Sequence, residues 1–413
     1  MPALTPEFSD RRSRVRSVVA PTRHGADLET TRAMAARLKL TIAGPCEPDE
    51  ASWRKLGEAL WRGDPLADEV AMWLHQEGMA VARPQLERAI EGGGCREDAP
   101  VALRRLMDAV QEDPAWLDRS LMAQGARFLQ STGLHGMRVL RDAGLMAGYQ
   151  ASAINQTLLM TGSLKKGAQR RVAETTSWWL DCTKDGGMDR SGAGFKATVR
   201  VRVMHALVRQ NVSQRPQWNA AAWGLPINQV DMQATYLAFS VVQLLALKTT
   251  GCMVTSEDAR AVMHLWRYIG WLMGVEEGLL CDDELKGRVL LYHNVISQAP
   301  PDESSAALGQ ALMDEPLARH YPWAPKLLGP YNKARHLSQV SWFVGPQGMK
   351  HLGLPATLPW YPVLTAGPRF IFTGLTRLVA GGVDGPASWG RRRQERYWRR
   401  ELGAGEHGHC PRL

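Results

Sequence analysis

The chain has 413 residues, of which 45% are hydrophobic, and a formal net charge of +9. This length and apolar content are sufficient for one large buried core or for two smaller ones. The moderate basic excess fits anionic surfaces or acidic ligands. No nucleic-acid-binding motif accompanies it, so we expect no nucleic acid partner.

The cysteines and apolar stretches indicate a cytoplasmic protein. The six cysteines are scattered without a CxxC pair, which is typical of reduced thiols. No basic start followed by an apolar run marks a secretory signal. The longest apolar stretch, 236–247, is shorter than the ~18 residues needed to span a bilayer. We expect peripheral membrane contact only through the basic ends, 11–16 and 391–400.

Helical periodicity recurs from residue 28 onward, whereas alternating strand patterns are nearly absent. "DLETTRAMAARLKL" and "DPLADEVAMWLHQEGM" begin with Asp caps and repeat apolar residues every three or four positions. "TSEDARAVMHLWRYIGWLMGV" begins with Thr255 or Ser256 as its cap. The sequence therefore predicts a mainly α fold, as a single large helical domain over 26–382 with its core at 120–300.

The last third and the two ends differ in composition. Prolines are frequent over 299–368, and this pattern predicts short helices joined by rigid turns. Residues 1–25 and the basic segment 383–413 are predicted to be disordered tails.

The stretch "FKATVRVRVMHALVRQN" (195–211) places three polar side chains on one helical face. Arg202, His205 and Arg209 lie at i−3, i and i+4, beside an apolar stripe. Such a face needs an anionic partner. A core histidine whose flanking arginines pair with carboxylates of a neighbouring helix would satisfy it. Haem would also do so, because it needs one imidazole and brings two propionates that suit two arginines.

A second helical segment, "RRVAETTSWWLD" (170–181), carries three further candidates. Arg171, Glu174 and Thr175 lie at i, i+3 and i+4, so they share one face. The simplest interpretation of this spacing is an intrahelical ion pair between Arg171 and Glu174. A zinc site lacks companion ligands near His205, and no GxSxG elbow indicates a serine hydrolase.

The motifs "GAGFKAT", "RVRVMHALVR", "LPINQVDMQATYLAFS" and "WRYIGWLMGV" resemble those of the DUF2236 family over roughly 120–300. That family includes the latex-clearing protein, a rubber oxygenase, and the MpaB-type oxygenases of mycophenolic acid biosynthesis. The resemblance implies a globin-like helical core that holds haem b, and cleavage of a C=C bond with O2. It implies His205 as the axial ligand of the haem iron, supported by Arg202 and Arg209, with Arg171 and Thr175 as catalytic residues on the distal side.

Two departures from the family pattern bear on the reaction. The rubber-cleaving members have a lysine at the position of Glu174, and a glutamate base upstream, whereas 148–173 contains no Asp or Glu. Glu174 is therefore the candidate for a catalytic base, and rubber itself is not the expected substrate. The roles of Arg335 and Arg369, either of which could reach the haem, stay open.

These observations predict a haem b-dependent oxygenase, an oxidoreductase that uses O2 on an apolar isoprenoid-like or lipidic substrate. The alternative, from a different class, is a non-catalytic helical protein that binds haem or lipid or serves as a scaffold.

Overall fold

The computed structural model describes residues 19–162 and 167–402. Over these ranges the chain is 72% helical and contains no strand. The prediction of a mainly α protein built as a single helical domain is therefore confirmed.

Twenty α-helices follow one another within the described ranges, and two π-helical and two 3₁₀ segments lie between some of them. In chain order the α-helices are α1 (Leu28–Lys39), α2 (Glu50–Ala59), α3 (Pro65–Glu77), α4 (Met79–Gly92), α5 (Val101–Gln111), α6 (Arg119–Ser131), α7 (Gly133–Val139), α8 (Met146–Gly148), α9 (Ser152–Met160), α10 (Ala168–Cys182), α11 (Ala193–Ser213), α12 (Ala220–Trp223), α13 (Gln229–Leu237), α14 (Gln243–Thr249), α15 (Ser256–Leu272), α16 (Glu284–Ile296), α17 (Glu303–Met313), α18 (Pro325–His351), α19 (Trp360–Val379) and α20 (Asp384–Glu401). The π-helical segments are Leu140–Leu145 and Ala238–Val242, and the 3₁₀ segments are Glu277–Leu279 and Glu315–Ala318.

The helices predicted from caps begin where the sequence places them. The Asp27 side chain accepts a hydrogen bond from the Thr30 amide, and that of Asp64 accepts one from the Ala67 amide. Thr255 caps α15 in a reciprocal capping box with Asp258. Each cap satisfies backbone N–H groups that the first helical turn leaves without a partner, so local sequence is sufficient to fix these boundaries.

The centre of the molecule is the continuous helical run from Gln229 to Thr249. Among the described helices it is the one long and apolar enough to cross a membrane, but 72% of its most apolar window is buried inside the protein. It is therefore the core helix of the domain. Its π-helical middle, Ala238–Val242, packs on the π-helical segment Leu140–Leu145. Such segments frequently lie at functional sites, because they shift side chains out of the regular helical register.

The prediction of a disordered C-terminal tail is wrong for the part of 383–413 that the structure describes. Residues 384–401 form α20, which packs on α6 and α7. Gln394 is fully buried and donates to the carbonyls of Leu129, Gln130 and Gly133. The arginines that suggested a solvated tail lie mainly on the outer face of this helix. Residues 403–413 lie outside the described residues.

The N-terminal boundary is also corrected in its described part. The predicted tail was 1–25, but from residue 19 the chain is attached to the domain. Arg23 is buried and forms an ion pair with Asp231, at the start of the core helix. A buried charge is stable only when it is paired, so this contact fixes the segment in place. Residues 1–18 lie outside the described residues.

The proline-rich region contains a longer helix than its composition predicts. α18 runs from Pro325 to His351 and is interrupted only at Gly345, whose φ of 68° is not helical. Pro346 directly follows this break. At such a helix start the backbone N–H that proline lacks would have no helical partner. Pro325 and Pro346 therefore stand at helix starts, whereas Pro330 and Pro368 lie inside helices.

Candidate functional site

The six candidate side chains lie on two neighbouring helices, α10 and α11. A glycine-rich turn joins the helices, and Gly194 sits so close to α10 that a Cβ there would come within 2.6 Å of the Cys182 Cα. Only glycine permits this approach. The Trp178 indole N–H donates to the Thr198 hydroxyl at 3.0 Å, across the two helices. The glycines of the "GAGF" motif thus serve to bring α10 and α11 into contact.

Helical spacing places Arg171 and His205 on the sides of α10 and α11 that contact each other. Arg171 lies seven residues before Trp178, and His205 lies seven residues after Thr198. Seven residues are close to two helical turns, so each side chain returns to the face on which Trp178 and Thr198 touch.

His205 is a neutral, half-buried imidazole on α11. Burial, with a smaller effect from Arg209, lowers the pKa of His205 to about 4. Its Nδ1 is buried and has no hydrogen-bond partner among the described residues. A neutral imidazole with an open nitrogen is the form that binds a metal ion.

Arg171 supplies an unsatisfied cation on the opposite helix. Its Nη1 atom is buried and has no hydrogen-bond partner in the described part of the chain. The guanidinium lies 5.5 Å from the centre of the Tyr149 ring, so a cation–π contact holds it in place. Thr175 follows one turn later on the same face and is half-buried. This arrangement leaves a fixed donor available to an oxygen atom of a ligand.

Glu174 does not pair with Arg171. Its carboxylate accepts a hydrogen bond from Arg170 Nε at 2.8 Å, in an ordinary i,i+4 pair on the outer part of α10. The intrahelical pair expected from the spacing of Arg171 and Glu174 is thus absent, because Arg170 competes for the same carboxylate and Arg171 turns inward. The catalytic role of Glu174 stays a prediction.

Arg202 and Arg209 are neutralised by carboxylates of the neighbouring helix α3 and its cap. Arg202 binds Asp64 with two hydrogen bonds, Nε to Oδ2 at 2.6 Å and Nη2 to Oδ1 at 2.9 Å. Arg209 binds Asp68 and donates to the carbonyl of Ile227. These are the protein carboxylates that the sequence left open as an alternative to propionates. The structure gives no support to the prediction that these two arginines bind the cofactor.

Arg138 and the buried Arg335 are among the further arginines that have buried guanidinium atoms without a hydrogen-bond partner in the described ranges. These atoms are Nε of Arg138, and Nε and Nη2 of Arg335. Burial, and then the positive charges of Arg138 and Arg141, lower the pKa of Arg335. Arg369 differs, because it donates to the Thr250 carbonyl and to the Thr365 hydroxyl. Of the two downstream arginines that the sequence left open, Arg335 therefore has unused donors.

A buried ionic network next to Arg335 was not predicted. Arg141 Nε donates to Asp142 at 2.6 Å, and Arg141 Nη1 donates to Glu315 at 3.1 Å. His336 Nδ1 lies 2.7 Å from the same Asp142 oxygen. Burial alone would raise the pKa of Asp142, but Arg141 and His336 lower it overall. No spacing pattern could have revealed this network, since its members come from three segments far apart in sequence.

No group of three or more His, Cys, Asp or Glu side chains in the described part of the chain could hold a metal ion. A metal bound by His205 would therefore need its remaining ligands from a cofactor. The observed features are an all-helical domain with a neutral imidazole on α11 and an unpaired, buried guanidinium nitrogen on α10.

Comparison with known proteins identifies the family. Residues 133–380 match the family described as "ER-bound oxygenase mpaB/B'/Rubber oxygenase, catalytic domain". This match covers more than half of the chain, so the chain belongs to that family, and the predicted resemblance is confirmed. The family is one of oxygenases, which are oxidoreductases.

Two individual relatives are consistent with this assignment. The chain is 27% identical over 195 residues to the rubber oxygenase of Streptomyces sp. (strain K30), and the alignment spans 46% of each protein. It thus covers about half the length of that relative. The solved structure of latex clearing protein LCP in the closed state matches with a TM-score of 0.63 and 19% identity, over 82% of this chain and 90% of that one. At this identity the likeness shows a shared fold.

Proposed function

We propose that this protein is a haem b-dependent oxygenase that acts on an apolar, isoprenoid-like or lipidic substrate by oxidative cleavage of a C=C bond with O2. The observation that carries the proposal is the pair formed by His205 and Arg171, which lie on the sides of α11 and α10 that contact each other. Both have a buried nitrogen without a partner among the described residues. In a member of an oxygenase family, two such atoms indicate a site built for a ligand placed between them.

The residues present fit the iron of haem. The two arginines predicted to bind its propionates, in contrast, already have partners in the protein. His205 is neutral, because burial lowers its pKa, and it would hold the haem iron. Arg202 and Arg209 already neutralise carboxylates of the protein. Arg138 and Arg335 have unpaired donors that suit propionates instead. Bound haem would supply an iron centre for O2 chemistry.

The other residues of the site would bind the substrate and direct the oxygen. The Arg171 guanidinium can donate to negative charge that develops on oxygen, where a fixed donor in a dry site has its strongest effect. Thr175, one turn away, offers a hydroxyl to the same atoms. Val201, Met204 and Val208 flank His205 on α11 and are half-buried. Apolar walls of this kind hold an apolar chain and exclude water.

The first test is the visible absorption spectrum of full-length protein produced with added haem precursor. We expect a Soret band in the wild type and its loss or a strong shift in His205→Ala. His75→Ala, on the exposed face of α3, should leave the band unchanged. Wild-type protein without a Soret band would overturn the haem proposal.

The second test separates an oxygenase from a non-catalytic haem- or lipid-binding protein. Haem-loaded protein is supplied with a soluble polyisoprenoid alkene, and both O2 uptake and new carbonyl products are measured. We expect uptake and carbonyl formation that depend on the alkene. Stable haem binding without O2 uptake on such alkenes would favour the binding protein instead.

A further inference from the structure

The helix α19 has one face fixed to the domain and one apolar face exposed to solvent. On the inner face, Arg369 donates to the Thr250 carbonyl, Thr373 accepts from the Met253 amide at 3.1 Å, and Arg377 pairs with Asp258. These positions are separated by four residues, so they share one side of the helix. Polar residues of α19 therefore attach this helix to the loop at 250–258 through hydrogen bonds and an ion pair.

The opposite face carries large apolar side chains at helical spacing. Four of them, at positions 364, 371, 375 and 378, lie seven, four and three residues apart, so they form one stripe along the helix. Their exposed fractions are 66% for Leu364, 62% for Ile371, 56% for Leu375 and 77% for Leu378. The stripe continues onto the start of α18, because Tyr331 lies 6.5 Å from Trp360, and Trp323 and Leu327 are also exposed there. We call this stripe and its extension the α19 surface. A contiguous apolar patch of this extent indicates an interaction site.

The chain segment that forms the α19 surface carries charges of one sign only. From residue 316 to residue 383 the sequence contains no Asp or Glu, although it contains Lys326, Lys333 and Lys350. Lys333 pairs with Asp314, and Lys326 is exposed. The next helix, α20, exposes five arginines: Arg392, Arg393, Arg396, Arg399 and Arg400. The α19 surface is thus apolar, and we call the five exposed arginines that follow it in the chain the basic rim.

We propose that the α19 surface binds the interface of a lipid bilayer that contains anionic lipids. An apolar helix face next to cationic residues is the pattern of helices that lie in the plane of the membrane. Exposed Trp and Tyr, here Trp323 and Tyr331, are typical of that depth.

A second copy of the chain fits this surface less well. A symmetric dimer through the α19 surface would bring the basic residues of two 316–383 segments towards each other, and no acidic residue of these segments would compensate them. Anionic headgroups, in contrast, complement the basic rim while the acyl chains cover the stripe. This proposal does not depend on haem, since every residue that carries it lies outside the α10–α11 site.

The test is cosedimentation of the full chain with vesicles of phosphatidylcholine alone and of phosphatidylcholine with phosphatidylglycerol. We expect binding to the anionic vesicles that weakens with added salt, and a loss of about tenfold or more in affinity for Ile371→Glu/Leu375→Glu. The matched control is Leu40→Glu/Val101→Glu, because both residues are exposed apolar side chains elsewhere on the protein. Thermal unfolding establishes that each variant is folded.

A charge variant tests the basic rim separately. Arg392→Gln/Arg393→Gln/Arg396→Gln should reduce binding to anionic vesicles and flatten its salt dependence, without an effect on neutral vesicles. Absence of vesicle binding, together with a concentration-dependent dimer that Ile371→Glu/Leu375→Glu abolishes, would overturn the proposal and assign the surface to a second copy. Equal binding by wild type and by the folded Ile371→Glu/Leu375→Glu variant would overturn it too.

Discussion

The guanidinium of Arg202 forms two hydrogen bonds with the carboxylate of Asp64, 138 positions earlier in the chain, and both side chains are buried. The pair links α11, which carries His205, to the N-cap of α3. This pair therefore neutralises the positive charge of Arg202 on that face of α11. The partner is a carboxylate of the protein, so Arg202 contributes to the position of His205 through the fold.

A double-mutant cycle on this pair should show a strong coupling. Arg202→Met and Asp64→Leu each leave a buried charge without its partner, so each should lower the free energy of unfolding by about 3–5 kcal/mol. Arg202→Met/Asp64→Leu removes both charges and should lower it by much less than the sum. Urea unfolding of the full chain measures these values. Normal stability together with lost haem in Arg202→Met would show instead that Arg202 binds the cofactor.

Arg171 and its neighbour Arg170 provide a matched comparison. We expect Arg171→Ala to lower the rate of alkene-dependent O2 uptake by about 10²-fold, because it removes a fixed donor facing the reacting oxygen. Arg170→Ala removes only an i,i+4 pair at the surface of α10, so its rate should stay within twofold of the wild type. The Soret absorbance reports haem content in both variants. Equal rates for the two variants would contradict the role given to Arg171.

Glu174 should contribute little to the reaction. Its carboxylate is held by Arg170 and not by the inward-facing Arg171. We therefore expect Glu174→Gln to lower the rate by less than tenfold, and to leave the pH dependence of the rate unchanged. A general base contributes about 10²–10⁴-fold, so a loss of that size would establish Glu174 as the base that the sequence predicted.

The pH dependence of stability should reflect the neutral state of His205. Burial lowers its pKa in the folded protein to about 4, whereas the unfolded chain has the ordinary value of 6.5. Between these values the unfolded state binds more protons, so the free energy of unfolding should fall as the pH drops from 6.5 to 4. Urea unfolding of cofactor-free protein at several pH values measures this slope.

His205→Leu should reduce that slope, because it removes one of the histidines responsible. His24, whose pKa burial also lowers to about 4, should account for part of the remainder. His75→Ala is the control, since His75 is exposed. An unchanged slope in His205→Leu would show that this ring is already solvated in the folded protein.

Two glycine substitutions test whether α20 belongs to the folded domain. A Cβ at Gly390 would come within 2.1 Å of the Gln130 carbonyl oxygen on α6, whereas at Gly367 on α19 it would meet nothing within 4 Å. Gly390→Ala should lower the free energy of unfolding by about 1–3 kcal/mol. Gly367→Ala should raise it by up to about 1 kcal/mol, through the better helix propensity of alanine. Equal effects would contradict the close packing of α20 on α6.

The sequence by itself determined where the capped helices begin, and it named the residues of the candidate site. Caps such as Asp27 and Thr255 act on their own first turns, so local chemistry decides where these helices begin. Helical spacing placed Arg202, His205 and Arg209 on one face, and the family motifs singled out Arg171 and Thr175. Both kinds of information are carried by residues that are close together in the chain.

Only the tertiary structure decided which partners these side chains have. Asp64 lies far from Arg202 in sequence, and no spacing rule predicts that the two meet. Glu174 pairs with Arg170 and not with Arg171. This pairing depends on which of the two arginines the packing of α10 turns inward. The basic segment after residue 383 looks solvated by composition, yet Gln394 and Gly390 dock it on α6. Burial and long-range pairing settle these points, because the cost of an unpaired charge is set by the surroundings that the whole fold creates.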